Sequence, residues 1–244
     1  MNNPVATYRI QLHKDFTLQQ LDQLIPYLQQ LGVSTLYASP IFTAVPGSNH
    51  GYDGTNPFQI NPEIGTEEEL RAISLKLQEA SINWLQDIVP NHMAFHPQNA
   101  WLMDVLEKGV QSLYAPYFDI AWTSNLHKGR LMVPFLGAEL NEVVQNGELE
   151  LVYTANKLHF KYYDAHFPLS PRSYEAVLKG DKPSEAIKGL IAQIEMLHAV
   201  EERAAYAESW NEITQQLAGL MKNKTVKNYV EKGLKAFNSN KEAL

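Results

Sequence analysis

The sequence contains no cysteine. Disulfides and thiolate metal sites are therefore excluded. Basic residues are scarce: 20 Lys and Arg face 27 Asp and Glu, for a formal net charge of −7, and they form no cluster. Nucleic-acid phosphates demand concentrated Lys and Arg, so nucleic acid is not a partner class. No stretch approaches the roughly 18 consecutive apolar residues of a membrane span, so no membrane partner is expected. The opening residues, MNNPVATYRI, have neither a charged start nor a long apolar core. No signal peptide is read there, and a cytoplasmic protein is expected. Internal repeats and low-complexity tracts are also missing.

What is present is an ordinary folding composition. The chain has 244 residues, 45% of them apolar. That suffices for one large domain or two small ones. Ala6 to Leu12 reads as a short strand. In FTLQQLDQLIPYLQQLG, Leu18, Leu21, Ile25 and Leu28 recur at helical spacing. Thr17 and Gln20 form a capping-box pair, Gly32 is the stop, and Pro26 is expected to kink the helix. Val33 to Ser39 is a second strand. GTEEELRAISLKLQEA is a second helix, opened by Thr66 and Glu69, and Ile82 to Val89 is a third strand. Alternating strands and helices predict a parallel sheet with helices packed outside it. Right-handed crossovers place the three strands side by side. Further on, Leu149–Thr154 and Leu158–Tyr163 predict a hairpin turning near Ala155-Asn156. The chain from Pro183 to Leu244 is helix-rich and charged.

Two loops carry chemistry-bearing residues, and both follow predicted strands. The first runs from Pro40 to Gly65 and is read as unstructured, a length that is often functional. It holds His50, Tyr52 and Asp53 among Gly47, Gly51 and Gly54. The second is DIVPNH, where an apolar run carries one acid, Asp87, and ends in Pro90-Asn91-His92. Burying an ionised carboxylate without partners is costly, so this cluster needs a reason. In parallel α/β folds, ligands bind at the carboxyl ends of strands. Tyr52, Asp53, Asp87 and His92 are therefore expected to converge on one pocket.

Plainer readings exist for each residue. Asp87 alone could be a hydrogen-bonding strand end, and His50 a turn residue as readily as a ligand contact. His92 and His96 have a zinc-like spacing. Pro90 and Pro97 disfavour the helix it needs, and no third ligand is evident, so no metal is expected. Tyr162, Tyr163, His166 and Phe167 look like a stacking strip but read better as hairpin packing. Trp84 is read as core. The run Glu67 to Glu69 is a solvated first helical turn.

DIVPNH resembles the Asp-x-x-x-Asn-His region of the α-amylase superfamily, glycoside hydrolase family 13. GSNHGYD resembles its Tyr-Asp loop. Within that superfamily, TYRIQL, YLQQLGVSTLYASPIF, GSNHGYDGTNP, INPEIGT and DIVPNHMA together look like the maltooligosyltrehalose synthase family. The likeness continues through VPFLG, NGELEL and YYDAHFPLSP and covers most of the first 175 residues. The resemblance implies a partial (β/α)8 barrel, comprising its first three β/α units, with an inserted mixed α/β and helical region. The change of pattern after His92 places a boundary near residue 95, so residues 1–95 are expected to be the barrel part, 96–182 an inserted domain with the hairpin, and 183–244 a helical region that stops before a fourth barrel strand.

The resemblance also implies an isomerase, an intramolecular transglucosylase acting on maltooligosaccharides without a cofactor. His92 would hydrogen-bond the sugar beside the scissile bond, Tyr52 would stack on it, and Asp87 would orient other groups. His50, Asp53 and Asn91 complete the expected substrate-binding set. Asn91 matches a metal ligand of calcium-dependent amylases, a role not carried over to trehalose-forming members. One departure stands out. The family's nucleophile is expected in an Arg-x-Asp motif, yet none of Arg9, Arg71, Arg130, Arg172 and Arg203 is followed by x-Asp. The nucleophile and acid are therefore expected beyond Leu244. The missing carboxyl-terminal portion of the enzyme becomes the expected partner, and the isolated chain is expected to be inactive. Alternatives are an α-amylase, a 4-α-glucanotransferase, or a non-catalytic glucan-binding fragment.

Overall fold

The computed structural model describes residues 4–133 and 135–241. Pro134 of the VPFLG motif, the first three residues of the opening segment and the last three of the helical tail lie outside the described residues. The chain divides into two compact units, one ending at Ala100 and the other starting at Trp101.

The first unit runs β1 (Thr7–Ile10), α1 (Leu18–Leu31), β2 (Thr35–Ala38), β3 (Phe42–Ala44), β4 (Gly54–Ile60), α2 (Glu67–Glu79) and β5 (Asn83–Gln86). Strands β1, β2 and β5 form a parallel sheet in that order. Both helices begin where their side chains can satisfy free backbone N–H groups. The Thr17 N–H donates to Gln20 Oε1 at 2.9 Å, and the Thr66 N–H donates to Glu69 Oε2 at 2.8 Å. Helix α1 stops at Gly32, whose φ of 78° suits a residue without a Cβ. The helix is continuous through Pro26. Leu18, Leu21 and Leu28 of α1, Ile73 and Leu77 of α2, and Ile10 and Leu36 of the sheet pack into one core. Each such side chain contributes about 1.5–3 kcal/mol by leaving water. Trp84 packs partly buried against this core, with its indole N–H on Gln86 Oε1 at 3.0 Å.

Two sequence expectations need correction. The Pro40–Gly65 segment is not without structure, because β3 and β4 form an antiparallel ribbon inside it. Strand β3 has only three residues, the register is broken by irregularities, and Pro57 lies within β4. None of this produces the two-residue alternation that marks a strand. The third parallel strand also ends earlier than read, at Gln86, so Asp87 is the first residue past it.

Strands β1 and β5 are the outer members of this three-stranded sheet. Unpaired strand edges invite pairing with another chain. The purified chain is expected to show a mass above that of a monomer by light scattering at high concentration. A clean monomer would mean that these edges are blunted in solution.

The second unit opens with α3 (Ala100–Lys108) and continues through α4 (Leu140–Gln145). Then come β6 (Leu149–Thr154), β7 (Lys157–Tyr162) and β8 (Ala165–Pro168), and helices α5 (Pro171–Leu178), α6 (Glu185–Leu197), α7 (Arg203–Leu220) and α8 (Lys224–Ser239). The hairpin turns at Ala155 and Asn156, both with positive φ, 48° and 64°. That is the two-residue turn whose twist matches its strands. Strand β8 extends the hairpin to three antiparallel strands. Leu158, Tyr174, Ile187, Ile194, Trp210 and Val230 centre the core under this sheet. Phe167 is buried and stacks on Phe160, whereas Tyr163 is exposed and bonds Glu148. These aromatic residues therefore do not form one exposed strip.

The molecule is a partial (β/α)8 barrel with an added antiparallel sheet and helical region. Among the described residues, no helix is long and apolar enough to cross a membrane.

Candidate functional site

The site grows from the inner face of the parallel sheet. Register aligns Arg9 with Tyr37 and Tyr37 with Leu85 across the three strands. Side chains two residues apart share a face, so Gln11 and Asp87 continue the rows of Arg9 and Leu85. Ile10 and Leu12 point the other way and are buried. The backbone continues the ladder past the strand end, with the Asp87 N–H donating to the Ala38 carbonyl at 2.9 Å.

Asp87 is half-buried rather than fully buried, with 16% of its side chain exposed. It is not alone there. The Tyr52 hydroxyl donates to Asp87 Oδ2 at 2.5 Å, and Arg9 Nη1 donates to the same oxygen at 3.2 Å. Arg9 Nη2 also donates to the Tyr52 hydroxyl at 3.1 Å and to Gln11 Oε1 at 3.1 Å. The guanidinium lies 4.8 Å from the centre of the Tyr37 ring. The Tyr52 hydrogen bond, with a smaller share from Arg9, holds the Asp87 carboxyl below the usual carboxylate range despite its partial burial. The same bond to Asp87 pushes the Tyr52 hydroxyl up, so it remains a donor. Asp87 is therefore an anion whose Oδ2 accepts from two donors at once. It is suited to orienting neighbours, not to delivering a proton.

A depressed carboxyl pKa ties this cluster to acid stability. The contribution is present above the unfolded carboxyl value, about 4, and is lost as pH falls through the lower folded value. Asp87→Asn is expected to flatten the loss of stability across that acidic window, followed by circular dichroism in urea at stepped pH. An unchanged profile would mean that the cluster does not couple to folding.

The loop residues sort into two groups. The Tyr52 N–H donates to His50 Nδ1 at 3.1 Å, and the two rings stack with centres 5.9 Å apart. Asp53 turns away from Asp87 to close its own loop: Ser48 Oγ donates to its Oδ1 at 2.5 Å, and His50 Nδ1 stands 3.6 Å from the same oxygen. Gly51 makes this turn possible. Its φ is 73°, and a Cβ there would stand 2.8 Å from the Pro40 carbonyl oxygen.

On the other side, a cavity of about 180 Å3 is lined by Asp87 and His92 together with Pro40, Phe42, Gly51 and Gly54. His92 is exposed, and its Nδ1 lies 3.2 Å from the Asn91 side-chain oxygen. The structure thus joins Tyr52 to Asp87 directly and sets His92 beside Asp87 in one cavity. It keeps Asp53 and Asn91 at the periphery.

Arg9, Gln11 and Tyr37 were missed by sequence reasoning. A signal existed in Arg9-Ile10-Gln11-Leu12, whose polar and apolar residues alternate. That marks one face of the strand as polar, but the strand's composition alone had not flagged it. Among the described residues, no group of three or more His, Asp or Glu could hold a metal ion.

The family model for the alpha-amylase catalytic domain matches residues 14–145, more than half of the chain. The chain belongs to the alpha-amylase family. A solved structure of a maltooligosyl trehalose synthase superposes with a TM-score of 0.64 at 38% identity, covering 68% of this chain and 22% of its own. The maltooligosyltrehalose synthase of Arthrobacter ramosus gives a TM-score of 0.61 at 35% identity, over 74% of this chain and 22% of its own. A Mycobacterium tuberculosis protein provisionally given the same enzyme name is 42% identical over 142 residues, 55% of this chain and 18% of its own. This alpha-amylase family member thus spans about a fifth of the length of the relatives it matches.

Proposed function

We propose that this chain is the amino-terminal part of a cytoplasmic intramolecular transglucosylase. The reaction would convert the reducing-end α-1,4 bond of a maltooligosaccharide into an α,α-1,1 bond, leaving a trehalosyl end. The observation that carries this reading is the repeated likeness to maltooligosyltrehalose synthase structures at 34–38% identity. The site's chemistry supports it. A ring fixed by its hydroxyl, Tyr52, offers a face to a sugar. Asp87 and His92 offer hydrogen-bonding groups at the edge of a small cavity.

Retaining chemistry of this kind needs two carboxyl groups roughly 5 Å apart, one as nucleophile and one as acid. Asp87 is committed to Tyr52 and Arg9, and Asp53 to Ser48. Both acids therefore have supporting roles in this reading. The nucleophile and acid come from the carboxyl-terminal portion, which is the proposed partner. Asn91 and His50 flank the pocket as secondary contacts.

The test is direct. Residues 1–244 incubated with maltopentaose are expected to leave reducing ends unchanged. The same chain expressed with its in-frame downstream sequence is expected to remove them and form a non-reducing product. Release of shorter reducing sugars by the longer protein would favour an amylase instead. Turnover by residues 1–244 alone would refute the assignment of the catalytic carboxyls.

A further inference from the structure

One cation serves the whole polar face of the sheet end. Arg9 reaches Asp87 with Nη1 and both Tyr52 and Gln11 with Nη2. Gln11 in turn donates from Nε2 to the His50 carbonyl oxygen at 3.1 Å. Strand β1 and the residue just past it therefore grip the Gly51 turn on both sides, at His50 through Gln11 and at Tyr52 through Arg9. A guanidinium presents its donors in a rigid planar fork and can lie flat on an aromatic ring. Here it does both, since its carbon lies 4.8 Å from the Tyr37 ring centre. A lysine has a single ammonium on a flexible stem and cannot reproduce that geometry.

Without Arg9, Tyr52 and Asp87 would share one hydrogen bond. A single bond leaves the phenol free to swing about it, and the residues flanking Gly51 lose their second tether. The side chain of Arg9 is 39% exposed, so its ion pair is screened and adds little to folding stability. Its consequence lies in geometry instead. Small displacements of orienting groups are costly in sugar chemistry, where a misplacement of about 1 Å can cost on the order of a hundredfold in rate.

We propose that Arg9 is a positioning residue of the sugar pocket: its guanidinium locks the Tyr52 ring and the Asp87 carboxylate to each other, and with Gln11 holds the His50–Tyr52 turn in place. The proposal rests on the reading of this pocket as an α-glucan site. Arg9 acts through Tyr52, Asp87 and Gln11, not on a reacting atom.

Three variants of the full 244-residue chain test it: Arg9→Lys, Arg9→Met and Tyr52→Phe. Maltopentaose affinity is measured by calorimetry, folding by urea titration, and the Asp87 carboxyl by carbon-13 NMR, assigned with Asp87→Asn. Both Arg9 variants are expected to bind about tenfold more weakly with an unchanged urea midpoint, and lysine is not expected to rescue. Wild-type affinity in Arg9→Lys would overturn the proposal, as would weaker binding that tracks a lowered urea midpoint. If the wild-type chain does not bind maltopentaose, the α-glucan reading fails, and the NMR arm still judges Arg9. The Asp87 titration midpoint should rise in Arg9→Met, and by more in Tyr52→Phe. An unmoved midpoint in Arg9→Met would show that Arg9 does not hold Asp87.

Discussion

Replacing His92 with alanine in the complete enzyme proposed above is expected to lower kcat by about a hundredfold, with a much smaller rise in KM. His92 lines the cavity beside Asp87 and is exposed, and its Nδ1 pairs with the side-chain oxygen of the adjacent Asn91. Its ring is thus available to a ligand. A donor aimed at groups that change charge during glycosyl transfer binds more strongly in the transition state than in the ground state. Losing one such donor costs on the order of 10²–10³ in rate. Steady-state kinetics on a maltooligosaccharide series separates the two possibilities. A raised KM with unchanged kcat would mean that His92 binds substrate and transition state equally, which is not the role assigned here.

The second large effect concerns stability. Trp210→Ala is expected to destabilise the second unit by about 3–5 kcal/mol. Trp210 sits on α7 with 1% of its surface exposed, and its ring meets Tyr174 edge-on, with centres 4.8 Å apart. It joins helices α5, α6 and α7 in the core beneath the hairpin. Among the described residues its indole N–H has no hydrogen-bond partner, so the loss comes from packing and not from a broken bond. Helix content followed in urea would measure the change. A destabilisation below about 1 kcal/mol would mean that the surrounding side chains collapse into the space far better than large-to-small core changes usually allow.

The gap between sequence and structure follows a physical line. Residues that act on their neighbours in the chain were legible. Thr17 and Thr66 cap their own helices, Gly32 ends α1, and Ala155-Asn156 turns the hairpin. Each effect spans four residues or fewer, so it is written in the local order of side chains. The same holds for DIVPNH and GSNHGYD, whose residue order carries the family likeness. The β3–β4 ribbon was illegible because its pairing is irregular and neither strand buries an alternating face.

By itself, the sequence determined the alternation of strand and helix, the ends of the helices and the two loops that carry polar residues. Only the tertiary structure decided which polar groups meet. Arg9 and Asp87 are 78 positions apart, and Tyr52 and Asp87 are 35 apart. Their contact depends on the pairing of β1, β2 and β5 in one register, and a slip of one residue would send every side chain of a strand to the opposite face. Local propensity carries no information about that register. It is set by burial of Ile10, Leu36 and Ala38 against the helices on the far side of the sheet, and the polar site is the other face of that same choice.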